Sequence, residues 1–408
     1  TAEDVINENE KMGNICAFLA LDGDEVVGYC SFSEYKQDEG ASYIPLLNVR
    51  TDHIGKKIGK TLVKECVKKA MESKWPRLDL YTWQGNDKAV PVYKKCGFFW
   101  ERRDGSTHLM NFMPYVMRTE AVKEYFNTFD WYDDSVREIK IESDGRSEGD
   151  FEYYEYMWEK DGITLKMEFE KNGRGLTCIE TDDYKIKARV DKKDLVIGND
   201  YKVQYECINK SGKNLDIEIK GIEDKNITNH LEYKGNIKDS KIIDGEFTLD
   251  TIQEEQDKYR THPCVTSIIT INGLDATFKV GVYPNFPVKM EIANQNGLKN
   301  LEEEIVCYIN IENNFDEDVD VEFSLIDDEW ISFKEKSQVC SLKAKEKKSL
   351  PIACILSDYG FYSKEVETKI NASGKNIKHN VNLRGSFRGC TGRYHGEDDT
   401  CYSIYNGK

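Results

Sequence analysis

Apolar and polar positions follow two different periods in the first quarter of the chain. The runs ICAFLAL and VVGYCSFSEY, joined by the turn DGDE, predict a β-hairpin, and SYIPLLNV (residues 42–49) predicts a third strand. Apolar residues then recur at helical spacing until Trp75-Pro76, at Leu62, Val63, Cys66, Val67 and Ala70. A strand (RLDLYTW), a short helix (NDKAVPVYKKCG) and another strand (FFWERR) follow. Residues 1–116 therefore predict an α/β domain.

Beyond a short helical connector, TEAVKEYFNTF, the pattern changes to strands alone. Residues 131–389 consist of short alternating runs of β-branched and aromatic residues, separated by Asp, Asn, Gly and Lys turns. Strands that recur about every 8–12 residues are typical of β-sandwich or meander domains. This part of the chain is therefore predicted to be all-β.

Two stretches of the β-rich part resemble each other. VIGNDYKVQYECINKSGKNLDIEIKGI and LKNLEEEIVCYINIENNFDEDVDVEFSLI both run strand, Asn-rich turn, strand, with a cysteine at the matching place. The predicted fold is thus multidomain, with an N-terminal α/β domain, a small β-layer and two tandem β-sandwiches. The predicted boundaries are 1–116, then 117–192 for the connector and β-layer, 193–286 and 287–389 for the sandwiches, and 390–408 for a tail or the start of a further domain.

Charge and composition narrow the classes of partner. The 408 residues carry a net charge of −17. Residues 1–116 are nearly neutral, with 16 basic and 17 acidic side chains, so the rest of the chain carries almost all of this charge. The acidic remainder should repel nucleic acid and anionic membranes, and no apolar run approaches the roughly 20 residues that cross a bilayer. We therefore expect neither a nucleic-acid nor a membrane partner. The oligomeric state is left open.

The metal-ligating residue types show no site pattern. The 12 cysteines are spread along the chain without a C-x-x-C pair, which predicts reduced, buried thiols and a cytoplasmic location. The six histidines are scattered, and only the tail gathers His395, Asp398 and Asp399 beside two cysteines. A polar loop, or the opening of a truncated next domain, explains that tail better than a zinc site. No metal is expected.

The stretch VRTDHIGKKIGKTLVKECVKKA (residues 49–70) places a glycine-containing loop between a strand and a helix. Backbone amides at such a place, with the positive end of the helix, can hold a pyrophosphate. The alternative is a plain surface turn in which Gly55 and Gly59 serve only the backbone and Lys56, Lys57 and Lys60 are solvated.

Two linked motifs resemble the GNAT superfamily of acyl-CoA N-acyltransferases. The family's Gln/Arg-x-x-Gly-x-Gly/Ala loop corresponds to residues 54–59, with Ile54 in place of the Gln or Arg and Lys57 in place of the first patterned glycine. The second motif is NDKAVPVYKKCGF, in which Asn86, Ala89, Tyr93, Gly97 and Phe98 all fit. The resemblance covers about residues 1–116 and implies that the family's first strand and much of its first helical pair are missing from the start.

This resemblance implies an activity and a set of site residues. Acetyl-CoA would be the cosubstrate, and a primary amine would attack its thioester directly, oriented in a gap between two strands. The backbone N–H near Leu47 would polarise the thioester oxygen, and Tyr93 would protonate the leaving thiolate. Strand 42–49 has no carboxylate, so Glu34, with Tyr35 beside it, is the nearest candidate base. The implied cofactor-binding residues are Leu47, Val49, Ile54, Gly55, Lys56, Lys57, Gly59, Lys60, Asn86, Ala89 and Tyr93.

Two alternatives stay open at this point. Tyr93 is either the general acid or a core aromatic residue of an amphipathic helix. The whole protein is either an acetyltransferase whose β-domains present or select the substrate, or a degenerate CoA-binding module on a β-sandwich scaffold that binds protein or carbohydrate. The acceptor amine is not identified by the sequence.

Overall fold

The computed structural model describes residues 13–103, 106–250, 256–298, 301–372 and 374–389. The described chain divides into two units, one made of the residues before 196 with 199–284, the other of 196–198 with the residues after 284. The predicted tail, residues 390–408 with His395, Asp398 and Asp399, lies outside the described residues.

A seven-stranded sheet forms the N-terminal part of the first unit. Its strands follow the order β1-β2-β3-β5-β7-β6, and β4 pairs with β2 off this path. All neighbours are antiparallel except β3 and β5. The strands are β1 (Asn14–Asp22), β2 (Glu25–Glu34), β3 (Ala41–Ile44), β4 (Leu47–Val49), β5 (Arg77–Thr82), β6 (Phe98–Arg102) and β7 (Thr107–Asn111).

Helix α1 (Ile58–Glu72) covers one face of this sheet. Its buried side chains are those predicted from the helical spacing, and they turn toward β2. Gly28 on β2 permits the close approach, because a Cβ atom there would lie 2.7 Å from the Cγ2 atom of Ile58. The remaining described helices are short: α2 (Val90–Lys95), α3 (Met113–Val116) and α4 (Glu120–Lys123).

The predicted strand over residues 42–49 is two strands in the structure. β3 ends at Ile44 and β4 begins at Leu47, with Pro45 and Leu46 between them. Proline has no N–H to donate to a sheet ladder, so a continuous central strand cannot pass through it. The single-strand prediction is therefore wrong at this point, and the break shapes the candidate site described below.

The β-rich part of the first unit is one long antiparallel sheet. Its order is β20-β19-β15-β16-β18-β14-β12-β11-β10-β9-β8, with β17 paired to β15. Its strands are β8 (Arg146–Glu148), β9 (Phe151–Lys160), β10 (Ile163–Glu170), β11 (Gly175–Thr181), β12 (Tyr184–Val190), β14 (Asp200–Asn209), β15 (Asp216–Asp224), β16 (Ile227–Asn229), β17 (Glu232–Asn236), β18 (Ser240–Leu249), β19 (Cys264–Ile271) and β20 (Leu274–Gly281). The boundary predicted at residue 193 falls between β12 and β14, which pair along their length. That residues 193–286 fold separately stays a prediction.

The second unit is built from two sheets around one apolar core. One sheet has the order β22-β24-β28-β26 and the other β23-β30-β29-β25-β27. Inward residues of both sheets, such as Ile309 and Val366, form a single cluster with little exposed area, which makes this unit a β-sandwich. Its strands are β22 (Val288–Ile292), β23 (Gln295–Leu298), β24 (Glu304–Asn313), β25 (Val319–Ser324), β26 (Ile331–Phe333), β27 (Ser337–Leu342), β28 (Lys347–Leu356), β29 (Gly360–Ala372) and β30 (Lys375–Gly389). Two short strands, β13 (Asp194–Val196) and β21 (Tyr283–Asn285), lie where the chain passes between units.

Two further properties concern the described residues as a set. Their ten cysteines are all free, and nine of these are buried. Such thiols pack as small apolar side chains. Among these same residues, none of the helices has the length and apolar character needed to span a membrane.

Candidate active site

The sheet opens into a gap where β3 gives way to β4. β3 pairs in parallel with β5 from Ala41 opposite Arg77 to Ile44 opposite Leu80. After Pro45 the chain continues as β4, whose partner in the described part of the chain is β2 and not β5. β4 and the end of β5 therefore diverge and leave a gap between them.

The backbone of β4 directs hydrogen-bonding groups into this gap. The Ser31 amide donates to the Leu46 carbonyl at 3.0 Å, and the Arg50 amide donates to the Val27 carbonyl at 2.9 Å. Because neighbouring residues of an antiparallel strand direct their amides to opposite sides, Leu47 and Val49 direct theirs away from β2. The structure thus places both predicted residues with their N–H groups toward the gap.

The loop after β4 turns tightly before α1, and two of its amides are already bonded: Ile54 N–H donates to the Thr51 carbonyl at 3.4 Å and Lys56 N–H donates to the His53 carbonyl at 3.3 Å. It begins with a 3₁₀ turn (Thr51–His53), and Ile54 beyond it is 68% exposed. Gly55 has φ +89°, and Lys57, the N-cap of α1, has φ +66°. The family's motif has a glycine at this position, and glycine adopts the left-handed backbone conformation at the lowest energetic cost. Lys57 adopts that conformation here in its place.

The first turn of α1 supplies unpartnered donors to this loop. Thr61 is the first residue of α1 to bond back along the helix, with its N–H on the Lys57 carbonyl at 3.1 Å. The amides of Ile58, Gly59 and Lys60 precede it and have no helical partner. Together with the positive end of the helix dipole, these three amides make the 54–60 segment a candidate anion cradle.

Four lysines lie in or just after the candidate cradle, and Lys56 helps to lower the pKa of Asp22 through its charge. Lys56, Lys57, Lys60 and Lys64 make no salt bridge within the described part of the chain. These cations favour a phosphate in the cradle.

Asn86 and Ala89 shape the start of α2. The Asn86 side-chain oxygen accepts from the Ala89 amide at 3.3 Å, and its Nδ2 donates to Thr82 Oγ1 at 2.7 Å. The Ala89 amide also lies 3.1 Å from the Asn86 carbonyl oxygen. Both residues therefore fix the turn between β5 and α2, and through it the position of Tyr93.

Tyr93 lies on the buried side of α2, close to the gap. It is 8% exposed, and burial, followed by the neighbouring Cys30 and Cys96 thiols, raises its pKa to about 12. Cys30 is the β2 residue that pairs with Leu47. Tyr93 and Leu47 are thus both neighbours of Cys30, and the tyrosine is protonated at neutral pH.

Glu34 is not brought to the same place. It is exposed at the far end of β2, four residues beyond Cys30, which is about 13 Å along a strand. Tyr35 lies on the opposite face of the sheet, where its hydroxyl is 2.8 Å from that of Tyr81 and its ring is 5.2 Å from that of Tyr43. Of the two base candidates, neither is adjacent to Leu47 by strand register.

That opposite face holds a cluster of charges that the sequence did not reveal. His108 lies between two carboxylates, with Nδ1 2.8 Å from Glu101 Oε2 and Nε2 3.1 Å from Asp79 Oδ2. Arg77 donates through Nε to Asp79 Oδ1 at 2.7 Å and through Nη2 to Asp38 at 2.5 Å. We call the following residues the buried ionic cluster: Asp38, Arg77, Asp79, Glu101, Arg103, His108 and Arg174.

The β-rich part of the unit completes this cluster. Arg174, in the turn between β10 and β11, contacts Asp38, and its Nη2 donates to the Tyr259 carbonyl at 2.5 Å. Arg103 donates to the same carbonyl at 2.7 Å. The Thr261 amide donates to Asp38 Oδ1 at 2.9 Å. Segments more than 130 residues apart therefore close one face of the sheet.

The surroundings of two buried carboxyls, Glu101 and Asp79, keep them ionised. Burial alone would raise the pKa of Glu101, but the His108 ring and the Arg174 and Arg103 cations more than offset burial and bring it to about 2. The pKa of Asp79 is likewise lowered against burial, through Arg77 and His108. The one sequence signal was the alternation of Arg77, Asp79 and Tyr81 with leucines, which normally indicates a face in water.

Comparison with known proteins supports the assignment of the N-terminal part. Residues 2–98 match the model of the acetyltransferase (GNAT) family. No curated protein matches the chain. Among solved structures, the chain is similar to PaiA N-acetyltransferase from Thermoplasma acidophilum in complex with coenzyme A (18% identity, 27% of this chain, 67% of that chain, TM-score 0.24).

Two other similar structures are bacterial. One is the ribosomal-protein-alanine N-acetyltransferase from Brucella melitensis (19% identity, 27% of this chain, 76% of that chain, TM-score 0.24). The other is a GNAT family acetyltransferase from Elizabethkingia anophelis with acetyl-CoA bound (17% identity, 27% of this chain, 82% of that chain, TM-score 0.23). The N-terminal part of the chain is a GNAT α/β domain, matched by the family model over residues 2–98, and strand-rich sequence follows it.

Proposed function

We propose that the protein is an N-acetyltransferase that moves an acetyl group from acetyl-CoA to a primary amine. The observation that carries the proposal is the gap between β4 and β5, into which Leu47 and Val49 direct their amides. This gap lies directly before the anion cradle of residues 54–60. A ligand with amides at one end and a pyrophosphate at the other matches that order, and CoA is such a ligand.

The chemistry needs little from side chains. The neutral amine nitrogen attacks the thioester carbon and the C–S bond breaks. The proton that the nitrogen loses as the new amide forms ends on the departing thiolate, so that the products are the amide and free CoA. The Leu47 N–H stabilises the oxyanion, as a fixed donor does in a site from which water is excluded. Orientation of the two reactants supplies much of the remaining acceleration.

Tyr93 serves this step as a hydrogen-bond donor to the departing sulfur. A thiol has a pKa of about 8.5, so a tyrosine whose pKa is about 12 does not give its proton up fully to the thiolate. Donation without full transfer still lowers the energy of the charged leaving group. Glu34 stays a prediction for the base, although its register leaves it about 13 Å from Cys30 along β2.

The role of the strand-rich part is also a proposal. We retain the expectation that it helps to present or select the acceptor amine. What supports this is the placement of Arg103, which bonds to Tyr259 from the β-rich part and to the Tyr81 hydroxyl at 2.9 Å. Tyr81 lies one residue beyond the last pair of β3 with β5, where the gap begins. The free cysteines favour a reducing compartment, so a cytoplasmic location stays our expectation.

The Gly59→Val variant tests the cosubstrate site. A Cβ atom at Gly59 meets Val49 Cγ2 at 3.6 Å, which is ordinary contact, so the variant should fold while its side chain fills the approach to the cradle. We expect at least a tenfold loss of CoA affinity by calorimetry, with an unchanged circular dichroism spectrum. Unchanged affinity in the folded variant would contradict the assignment of the cradle.

A thiol-release assay with acetyl-CoA over a panel of amines tests catalysis. The panel covers small amines, peptide N-termini, lysine side chains and amino sugars. Amine-dependent release of free CoA is the expected result. CoA binding without release for any amine would favour the alternative, a catalytically inert CoA-binding module.

A further inference from the structure

Two buried thiols meet between α1 and β2. The Sγ atom of Cys30 on β2 lies 3.3 Å from the Sγ atom of Cys66 on α1, although the two residues are 36 positions apart in the chain. Both side chains are fully buried. At this distance one thiol can donate a hydrogen bond to the other, and either sulfur can be the donor. The helix and the sheet are therefore in contact through a pair of sulfur atoms.

The contact needs only a small movement to become a disulfide. A disulfide bond is about 2.05 Å long, so the two sulfur atoms have to approach each other by roughly 1.2 Å. Cys30 is held in the sheet on both sides, by Phe18 of β1 and by Leu47 of β4. The movement therefore falls to the two side chains and to α1, which carries Cys66.

A third thiol connects this pair to the surface. Cys16 on β1 is partly exposed. It lies on the same face of the sheet as Cys30, because Phe18, two residues further along β1, pairs with Cys30 in register. Burial raises the pKa of Cys16, the Lys69 cation of α1 lowers it in part, and Cys30 raises it further. A small oxidant can thus reach the edge of the layer between α1 and the sheet at Cys16.

The thiol pair lies beside the residues proposed for acetyl transfer. Cys30 pairs in register with Leu47, whose amide is directed into the gap. Burial, followed by Cys30, raises the pKa of Tyr93, so the sulfur is close to this hydroxyl as well. Helix α1 begins at Ile58, inside the candidate cradle. A shift of α1 against β2 therefore affects the cradle and the surroundings of Tyr93 together.

We propose that Cys30 and Cys66 form a reversible disulfide when the protein meets hydrogen peroxide, and that this bond switches acetyl transfer off. The Cys30 sulfur attacks one peroxide oxygen, which gives a sulfenic acid and one water. The Cys66 sulfur then attacks the Cys30 sulfur, and the S–O bond breaks. The hydroxyl group leaves with the Cys66 proton as a second water. Both sulfurs are oxidised by one electron each, and the two peroxide oxygens are reduced.

The order of the two steps follows from the contact between the thiols. The hydrogen bond with Cys30, and after it burial, raises the pKa of Cys66, so Cys66 keeps its proton and Cys30 is the sulfur that reacts first. Buried thiols react slowly with oxidants. The bond should therefore form under peroxide stress, while the thiols stay reduced under ordinary cytoplasmic conditions.

The effect on activity rests on the proposed function, whereas formation of the bond does not. A misplacement of about 1 Å in a positioned group can cost about 100-fold in rate. The approach of the two sulfurs is of this size, and it pulls α1 toward β2. We therefore expect the disulfide form to transfer acetyl groups roughly 10- to 100-fold more slowly. Reduction with dithiothreitol should restore the rate.

Peptide mapping of the full chain after peroxide treatment tests the bond. Digestion without reduction should give a linked pair of peptides, one with Cys30 and one with Cys66, which dithiothreitol separates. If both thiols stay free, or if Cys30 is linked to Cys16 instead, the proposal is overturned. This result does not depend on whether the protein is an acetyltransferase.

The thiol-release assay, run after the peroxide has been removed, tests the switch. The treated parent should be slower than the untreated parent by the stated factor. Cys66→Ala lacks the second sulfur and should keep its rate after the same treatment; Cys66→Ser replaces it if the alanine variant does not fold. Cys354→Ala is the matched control, because Cys354 forms a hydrogen-bonded thiol pair with Cys307 in the second unit. It should be inactivated like the parent.

Two outcomes of this assay would overturn the switch. One is an equal loss of activity in the parent and in Cys66→Ala, because oxidation elsewhere would then be the cause. The other is full activity in a parent whose peptide map shows the link. A parent that acetylates no amine before treatment contradicts the proposed function and the switch together, and the peptide map still decides whether the bond forms.

Discussion

The two faces of the N-terminal sheet are closed in opposite ways. The face under α1 is apolar, with Val63 and Cys66 fully buried against β2. The other face buries charges, and Asp79 and His108 are no more exposed than those apolar residues. The apolar face is closed by the next element in sequence, whereas the charged face is closed by Arg174 and by the segment around Thr261.

The two faces differ in how strongly their stability depends on the particular residues that cover them. An apolar face tolerates any well-packed cover, because burial of apolar area is not directional. A buried charge tolerates only the partners that hydrogen bond to it, and the loss of one leaves the rest uncompensated. The charged face is thus the more specific of the two and the more vulnerable to single substitutions.

The largest effect is expected for Asp79→Asn. The change removes the charge shared by Arg77 and His108 and leaves buried cations unbalanced, which should cost about 3–5 kcal/mol of unfolding free energy. Urea unfolding measures this cost. Leu62→Ala, on the apolar face, is the comparator; it should cost about 2–5 kcal/mol, and its cost should not change between pH 3 and pH 7.

The pH dependence sharpens that comparison. Glu101 has a folded-state pKa of about 2, below its unfolded value of about 4.3, so its stabilisation is present above pH 4.3 and is lost as pH falls toward 2. The parent should lose stability over this range, and Asp79→Asn should lose less. Exposed Asp87→Asn is the control and should follow the parent. Equal acid sensitivity in all variants would contradict the importance of the cluster.

Tyr93→Phe tests whether the Tyr93 hydroxyl, on the face of the sheet covered by α1, contributes to catalysis rather than to stability. The ring and its packing are retained, and only the hydroxyl is lost, so CoA affinity should be unchanged while kcat falls about 10²-fold, equivalent to about 2.7 kcal/mol. Steady-state kinetics and a melting curve check it. A normal kcat with a lowered melting temperature would return Tyr93 to the role of a core aromatic residue.

The smallest effect is expected at an ion pair near the surface, His53 with Asp52 and Asp22 at 3.0 Å and 3.1 Å. The two carboxylates, Asp52 foremost, raise the pKa of His53 above its unfolded value of about 6.5. The stabilisation is therefore complete below about pH 6 and is lost as pH rises through the folded-state pKa. His53→Gln should lower the melting temperature by a few degrees at pH 5.5 and by less at pH 8.5. A constant difference would rule out the linkage.

The sequence predicted those parts of the fold that depend on local pattern. The helical spacing of Leu62 to Ala70 gave α1 and its buried face, and the motif around Asn86 and Tyr93 led to the family that the comparison supports. The break at Pro45 was missed because an apolar run was read as one strand. Proline inside that run was the available signal.

The burial of the charged face could not be predicted from the sequence, for a physical reason. Arg77, Asp79 and Tyr81 alternate with leucines in the manner of a strand with one face in water. Their burial depends on contacts with Asp38, Arg174 and Thr261. Because these residues are far apart in the sequence, the contacts produce no periodic pattern along the chain. Long-range charge pairing is read from structure alone.

The hydrogen bond between Asp38 and Thr261 has a consequence for synthesis in the cell. The two residues are 223 positions apart, so a ribosome that adds about 5–20 residues per second needs roughly 10–45 s between them. During that interval the GNAT sheet has left the ribosome without the segments that cover Arg77 and Asp79. Its polar face must stay hydrated until they arrive, so a nascent chain that stalls before residue 261 presents an incompletely folded sheet to chaperones and proteases.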